Sequence, residues 1–193
     1  KFGNLHRLSL VTAVALLLGL LIDHFVGEVK GWHPLVGFGD AASILEEAAN
    51  PSSDIEGKLR GLFCWALMVL IPVMAMSLVV SQLSGLALLV VNALVVYFVV
   101  GLKSLAEHGR NVAVPLLAGD LPAARQLIAM MVSRDTDMLT EQQVASAACE
   151  SVLENGSDAI FAVLFWFCLL GAPGAILYRG ANTLDAMWGY KTD

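Results

Sequence analysis

A chain of 193 residues that is 58% hydrophobic and only 15% charged lies outside the balance of soluble domains, and its mean hydropathy of +0.74 places it among membrane proteins. A formal net charge of −6 leaves no basic stripe for a phosphate backbone, so nucleic acid is excluded as a partner. The three cysteines, Cys64, Cys149 and Cys168, show neither a CxxC nor a Cys/His spacing and are expected to be reduced packing residues.

Uncharged runs cover residues 8–22, 61–80, 83–102 and 159–178. A bilayer core about 30 Å thick takes roughly 20 helical residues. The first predicted membrane helix covers 8–26, with Arg7 anchoring one end and Asp23 and His24 reaching headgroup level at the other. A signal peptide is the rival reading, but no small-x-small cleavage site follows Ile22, so a retained helix is expected. The next stretch reads GEVKGWHPLVGFGD, where Trp32 suits an interface and Pro34 forbids a continued helix. His33 is the one side chain there with chemistry, against the plainer reading of an interfacial histidine bonded to a backbone group. A short helix is predicted over 41–49, ended by a turn at 50–54.

Residues 61–80 and 83–102, separated only by Ser81 and Gln82, predict an antiparallel transmembrane hairpin, with Pro72 kinking one arm and Asn92 bonding to a neighbouring helix. Residues 103–157 predict an extramembrane region of short amphipathic helices. Asp120 is a natural N-cap there, with Pro122 tolerated in the first turn, and Thr140 and Gln143 fit a capping box that opens a helix towards Glu154. On that helix Glu150, Glu154 and Asp158 follow at i, i+4 and i+8, forming an acidic strip that ends where the apolar run begins. Three repelling acids ask for a cation; the plain alternative is a solvated face beside Arg110 or Arg134.

The last apolar run breaks at Gly171-Ala172-Pro173-Gly174, leaving 159–170 too short to cross a bilayer, so 159–188 is expected to be a re-entrant helical hairpin or a fourth membrane segment. Such a hairpin would return Asn182 and Asp185 to the face that carries Glu154 and Asp158. The basic residues of 27–60 and 103–155 outnumber Lys1 and Arg7 on the other side, which puts both regions in the cytoplasm. The expected fold class is all-α, a polytopic membrane protein in one integral-membrane domain over 1–193, with further chain expected beyond its C-terminus.

Several motifs occur together and in order: WHPLVGFG (32–39), SLAEH (104–108), SRDT (133–136), ESVLEN (150–155) with Asp158 after it, and LFWFCLLGAPGAILYRGANTLDAMWGYK (164–191). In this combination the chain resembles the CbiB/CobD family, the adenosylcobinamide-phosphate synthases of cobalamin biosynthesis. The segment 23–28 is a loose version of the family's acidic, glycine-containing motif, and the family continues beyond 189–191. The resemblance implies a ligase of the bacterial inner membrane, its site facing the cytoplasm. It would join adenosylcobyric acid to aminopropanol or its phosphate, with ATP and Mg²⁺ as cofactors and the corrinoid as substrate. Membrane lipid and other cobalamin-assembly membrane proteins are the further partners it implies.

Amide formation needs an activated carboxylate, a phosphate clamp, a metal and a base. The residue types present assign His33, Arg134, Asp135 and Asp158 to catalysis, with His108 a second candidate for proton transfer. Thr136, Asn155, Asn182 and Lys191 are assigned to substrate, and Glu150, Glu154, Asp158 and Asp185 to a metal. No G-x-x-x-x-G-K-[ST] loop indicates how ATP is held. A transporter, or a membrane regulator of the AmpE type sharing the scaffold, are the rival readings; the joint presence of these polar residues speaks against a scaffold that has lost its site.

Overall fold

A computed structural model of the chain describes residues 2–29, 31, 33–49 and 55–189. The expectations for Trp32, the turn at 50–54 and Lys191 fall outside these residues, as does the side chain of Arg7. The described elements are helices α1 (Phe2–Val26), α2 (Pro34–Ala49), α3 (Ile55–Gln82), α4 (Gly85–Val99), α5 (Leu102–Leu117), α6 (Leu121–Ile128), α7 (Glu141–Gly156) and α8 (Ala162–Trp188), with one π-helical turn, Ser157–Phe161, joining α7 to α8. No strand occurs among the described residues, so the fold is all-α. By length and composition, Ile55–Gln82, Gly85–Leu117 and Glu141–Trp188 are apolar enough to cross a membrane, while Leu10–Val26 is a shorter apolar helix.

Two of those three stretches are not straight. Between α4 and α5, Val100 is extended and the bend is fastened from the side: the Asp23 carboxylate of α1 accepts a hydrogen bond from the Lys103 N–H at 2.9 Å, satisfying an orphan donor of α5's first turn. Within α8, Gly171 has φ 67° and ψ −154°, a conformation that belongs to glycine. The chain doubles back there. A Cβ at Gly174 would collide with the carbonyl oxygen of Trp166, eight residues earlier, and the Tyr178 hydroxyl lies against the Asp158 carboxylate, twenty residues earlier. The predicted broken hairpin is therefore the observed geometry, and Pro173 falls in the first turn of its second arm, where its missing N–H costs nothing.

The break leaves donors of the second arm without helical partners, and α4 supplies an acceptor. Buried Asn92 takes the Ala172 N–H on its Oδ1 at 3.3 Å, while its Nδ2 donates to the Leu88 carbonyl at 2.8 Å. Around this contact lies the main core, with Ala15 of α1, Val96 and Val99 of α4, and Val163, Phe167 and Ala172 of the hairpin. Helix α1 crosses α4 closely because Gly19 sits on Val96 and the Ala93 carbonyl, where a Cβ would come within 2.6 Å of the valine. A turn joins α3 and α4 as expected, but they make little direct contact; α8 packs against both. The reason is tertiary: the hairpin fills the space that two sequence-adjacent helices would otherwise close between them.

Helix α2 starts at Pro34, seven residues before the expected piece. Proline stops a preceding helix but suits the first position of a new one, and the His33 carbonyl accepts from Val36 and Gly37 to open it. Helices α5, α6 and α7 enclose a second core of Val112, Ala124, Ile128, Val144 and Ala147. The predicted caps are present there: Asp120 accepts from the Ala123 N–H at 3.1 Å, and Thr140 and Gln143 form a reciprocal capping box. The three cysteines are free, Cys64 buried and Cys149 and Cys168 exposed.

Gly171→Ala is expected to destabilise the fold by about 1–3 kcal/mol, because alanine resists this backbone conformation. Asn92→Ala should cost a similar amount, about 1–3 kcal/mol, by stranding the Ala172 N–H. Gly61→Ala, with nothing within 4 Å of the new Cβ, should be neutral or slightly stabilising. Thermal unfolding of the three variants in detergent checks this order.

Candidate functional site

At one end of the bundle, the segment between α1 and α2, the start of α5, the end of α7 and the second arm of α8 surround a polar cavity of about 450 Å³. Asp23 lines it from the end of α1, Glu28 from the segment after it, His33 from just before α2, and Ser104 and His108 from α5. Ser151 and Asn155 reach it from α7 and Arg179 from α8. Its frame is fixed by backbone contacts: the buried Tyr97 hydroxyl donates to the Gly27 carbonyl at 2.8 Å, holding the segment after α1 onto α4. Across that segment the Ser104 hydroxyl donates to Glu28 Oε2 at 3.0 Å.

The two histidines present opposite faces to chemistry. Nδ1 of His33 accepts the Leu35 N–H at 3.2 Å, so in the neutral ring Nε2 carries the hydrogen and is a donor; the ring rests edge-on against Phe98. Nδ1 of His108 lies 2.7 Å from the Ser104 carbonyl oxygen, which can only accept, so Nδ1 carries the hydrogen and Nε2 offers a lone pair. Asn155 is oriented by donating to the Ser151 carbonyl at 2.8 Å, which leaves its own amide oxygen as an acceptor.

Of the residues singled out in the sequence, His33, His108 and Asn155 come together in this cavity, and the others do not. Arg134 forms an exposed ion pair with Glu150 at 2.8 Å, the solvated arrangement weighed as the plain alternative for the acidic strip. Asp135 accepts the Asp137 N–H in a local turn, and buried Thr136 donates to the Arg125 carbonyl, closing the end of α6. Glu154 is exposed. The strip ends before Asp158 because the turn at Ser157–Phe161 is π-helical, its wider i→i+5 bonding shifting the register. Asp158 meets Tyr178 instead.

Asn182 and Asp185 share a separate groove with Trp65, Tyr178 and Trp188. Helical spacing explains the division: residues 178, 182 and 185 lie on one face of the second arm, and Arg179 is turned about 100° away from Tyr178, into the polar cavity. The expected metal site of Glu150, Glu154, Asp158 and Asp185 is thus not assembled, and among the described residues no three His, Cys, Asp or Glu side chains gather to hold a metal. A four-carboxylate Mg²⁺ site does not fit this geometry.

Sequence reasoning missed Asp23, Glu28 and Ser104 as cavity residues, and above all Arg179. The available signal for Arg179 was a single cation closing the last apolar run, a few residues after its break.

A family model described as CobD/Cbib protein matches residues 16–193. The chain belongs to the CobD/CbiB family. It is 49% identical over 172 residues to the cobalamin biosynthesis protein CobD of Stutzerimonas stutzeri, covering 89% of this chain and 56% of that protein. It is also 49% identical over 187 residues to the cobalamin biosynthesis protein CobD of Chromobacterium violaceum, covering 94% and 59%. A probable cobalamin biosynthesis protein CobD of Methanococcus vannielii is 33% identical over 193 residues, covering 95% and 62%. The chain therefore spans little more than half the length of these CobD proteins. No solved structure matches it.

Because the cavity gathers both the segment after α1 and the helices after Lys103, single cysteines at His33 and at Arg134 should react with an impermeant thiol reagent from the same side of the membrane. Labelling in a background lacking the native cysteines checks this, and reaction from opposite sides would contradict the arrangement.

Proposed function

We propose that the protein takes part in cobalamin biosynthesis as an amide-forming ligase, joining the free propionate carboxyl of adenosylcobyric acid to the amine of aminopropanol or its phosphate, with ATP driving the step. Family membership supports the pathway, and the polar cavity supports the chemistry: it brings a proton acceptor, a proton donor, an amide and carboxylates together. Its roughly 450 Å³ suits a drug-sized molecule and is far too small for a whole corrinoid. The macrocycle stays outside, and only the reacting propionate arm and the amino alcohol enter.

In this reading His108 Nε2 accepts the proton that the attacking amine sheds, and His33 Nε2–H donates to a developing oxyanion or a leaving oxygen. The Asn155 amide oxygen orients the amine or hydroxyl of the amino alcohol. Mg²⁺ bound with the nucleotide would supply charge neutralisation on its phosphates, and Glu150, Glu154, Asp158 and Asp185, which lie apart, would not hold it together. In the same reading the protein sits in the cytoplasmic membrane of a bacterium with the cavity facing the cytoplasm, the side that the positive residues of 27–60 and 103–155 favour. Alongside its substrates, membrane lipid and other cobalamin-assembly membrane proteins are its partners.

The decisive test incubates full-length purified protein with adenosylcobyric acid, aminopropanol or its phosphate, ATP and Mg²⁺, and follows the amide product by mass spectrometry. Product that depends on ATP is expected. His108→Ala should lower kcat by about 10²–10⁴, the usual worth of a positioned proton acceptor, while Glu150→Gln should leave it near normal. Absence of amide with every amine acceptor would overturn the reading.

A further inference from the structure

Arg179 carries a charge into largely apolar surroundings. It stands on the second arm of the hairpin, between the polar cavity and a second, apolar cavity of about 440 Å³ lined by Phe38, Val69, Pro72 and Val95 among others. Its Nε is buried and has no hydrogen-bond partner among the described residues. Among the described residues it forms no ion pair, and the Glu28 carboxylate that lines the same cavity is engaged by Ser104. A cation held against an apolar wall without a partner is expensive, and a fold keeps one where something negative arrives.

We propose that Arg179 is the anion-binding residue of the polar cavity, taking a carboxylate or phosphate group of a substrate on its guanidinium fork. The proposal rests on the ligase reading for the identity of the substrate, which carries a propionate on one side and, in the phosphorylated amino alcohol, a phosphate on the other. Three features carry it. The planar fork can take two oxygens of one anion side by side, which a lysine cannot. The apolar wall behind it lowers the local dielectric and strengthens the contact. The histidines line the same cavity, so an anion on Arg179 lies in the compartment where a proton can be passed. Arg134, the arginine singled out in the sequence, is instead paired with the exposed Glu150.

The test measures binding without ATP, so that its failure is separate from failure of the ligase reading. Full-length wild type, Arg179→Gln, Arg179→Lys and Arg134→Gln are titrated in detergent with inorganic phosphate, aminopropanol phosphate, unphosphorylated aminopropanol and adenosylcobyric acid, following ligand-induced shifts in melting temperature and calorimetric Kd. Wild type and Arg134→Gln should bind at least one of the anionic probes alike. Arg179→Gln should weaken that binding tenfold or more, and Arg179→Lys, which keeps the charge and guards against a folding defect, should weaken it less. Loss confined to the phosphates assigns the phosphate to Arg179, and loss confined to the corrinoid assigns the carboxylate. Unchanged Kd values in Arg179→Gln, or a wild type that responds to none of the anionic probes, would overturn the proposal.

Discussion

The hydrogen bond from the Ala172 N–H to Asn92 Oδ1 is the constraint on which the architecture rests. A helix interrupted among apolar side chains leaves N–H groups that neither water nor lipid satisfies, and each would cost several kcal/mol in hydrocarbon. One carboxamide on the neighbouring helix removes part of that cost and is itself held in place by the Leu88 carbonyl. With the acceptor in position, Gly171 can adopt its left-handed conformation, Pro173 can start a new helix, and the chain can reverse inside the core instead of crossing it.

The reversal explains why the site exists. Without it, the YRGANTLD segment would emerge on the far side from His33 and Asn155. With it, Arg179 returns to the end of the bundle where α1 stops, α2 begins and α5 turns away from α4. The same hairpin separates α3 from α4 and so leaves the apolar cavity behind the arginine. Two polar fasteners, Asp23 to the Lys103 N–H and Tyr97 to the Gly27 carbonyl, then hold the mouth of the polar cavity in shape.

Much of this was legible where local chemistry decides the structure. The caps at Asp120 and Thr140 and the break at Gly171 follow from side-chain reach and from backbone conformations that few residues tolerate, and both appear as the sequence indicates. Family-scale resemblance was legible too, because several motifs recur in order. What escaped was tertiary. Pro34 reads as a stop, and only packing shows that it is a beginning. The acidic strip follows from an unbroken helical register, which a single π turn at Ser157–Phe161 changes, sending Asp158 to Tyr178 and leaving Glu150 to Arg134. Arg179 was passed over because one isolated cation makes no pattern; its importance comes from a buried Nε without a hydrogen-bond partner among the described residues, which no sequence displays.

The central claim is that the chain reverses at Gly171, and the most direct measurement is the distance between spin labels at Ser157 and Ala181 in the full-length protein, reconstituted in lipid. These positions are 24 residues apart, about 36 Å in an unbroken helix rising about 1.5 Å per residue. The account predicts a short distance, set by the roughly 8–10 Å between packed helices and widened only by the label arms. A distribution centred near the unbroken-helix value would contradict it, and with it the convergence of Arg179, His33 and Asn155 on one cavity.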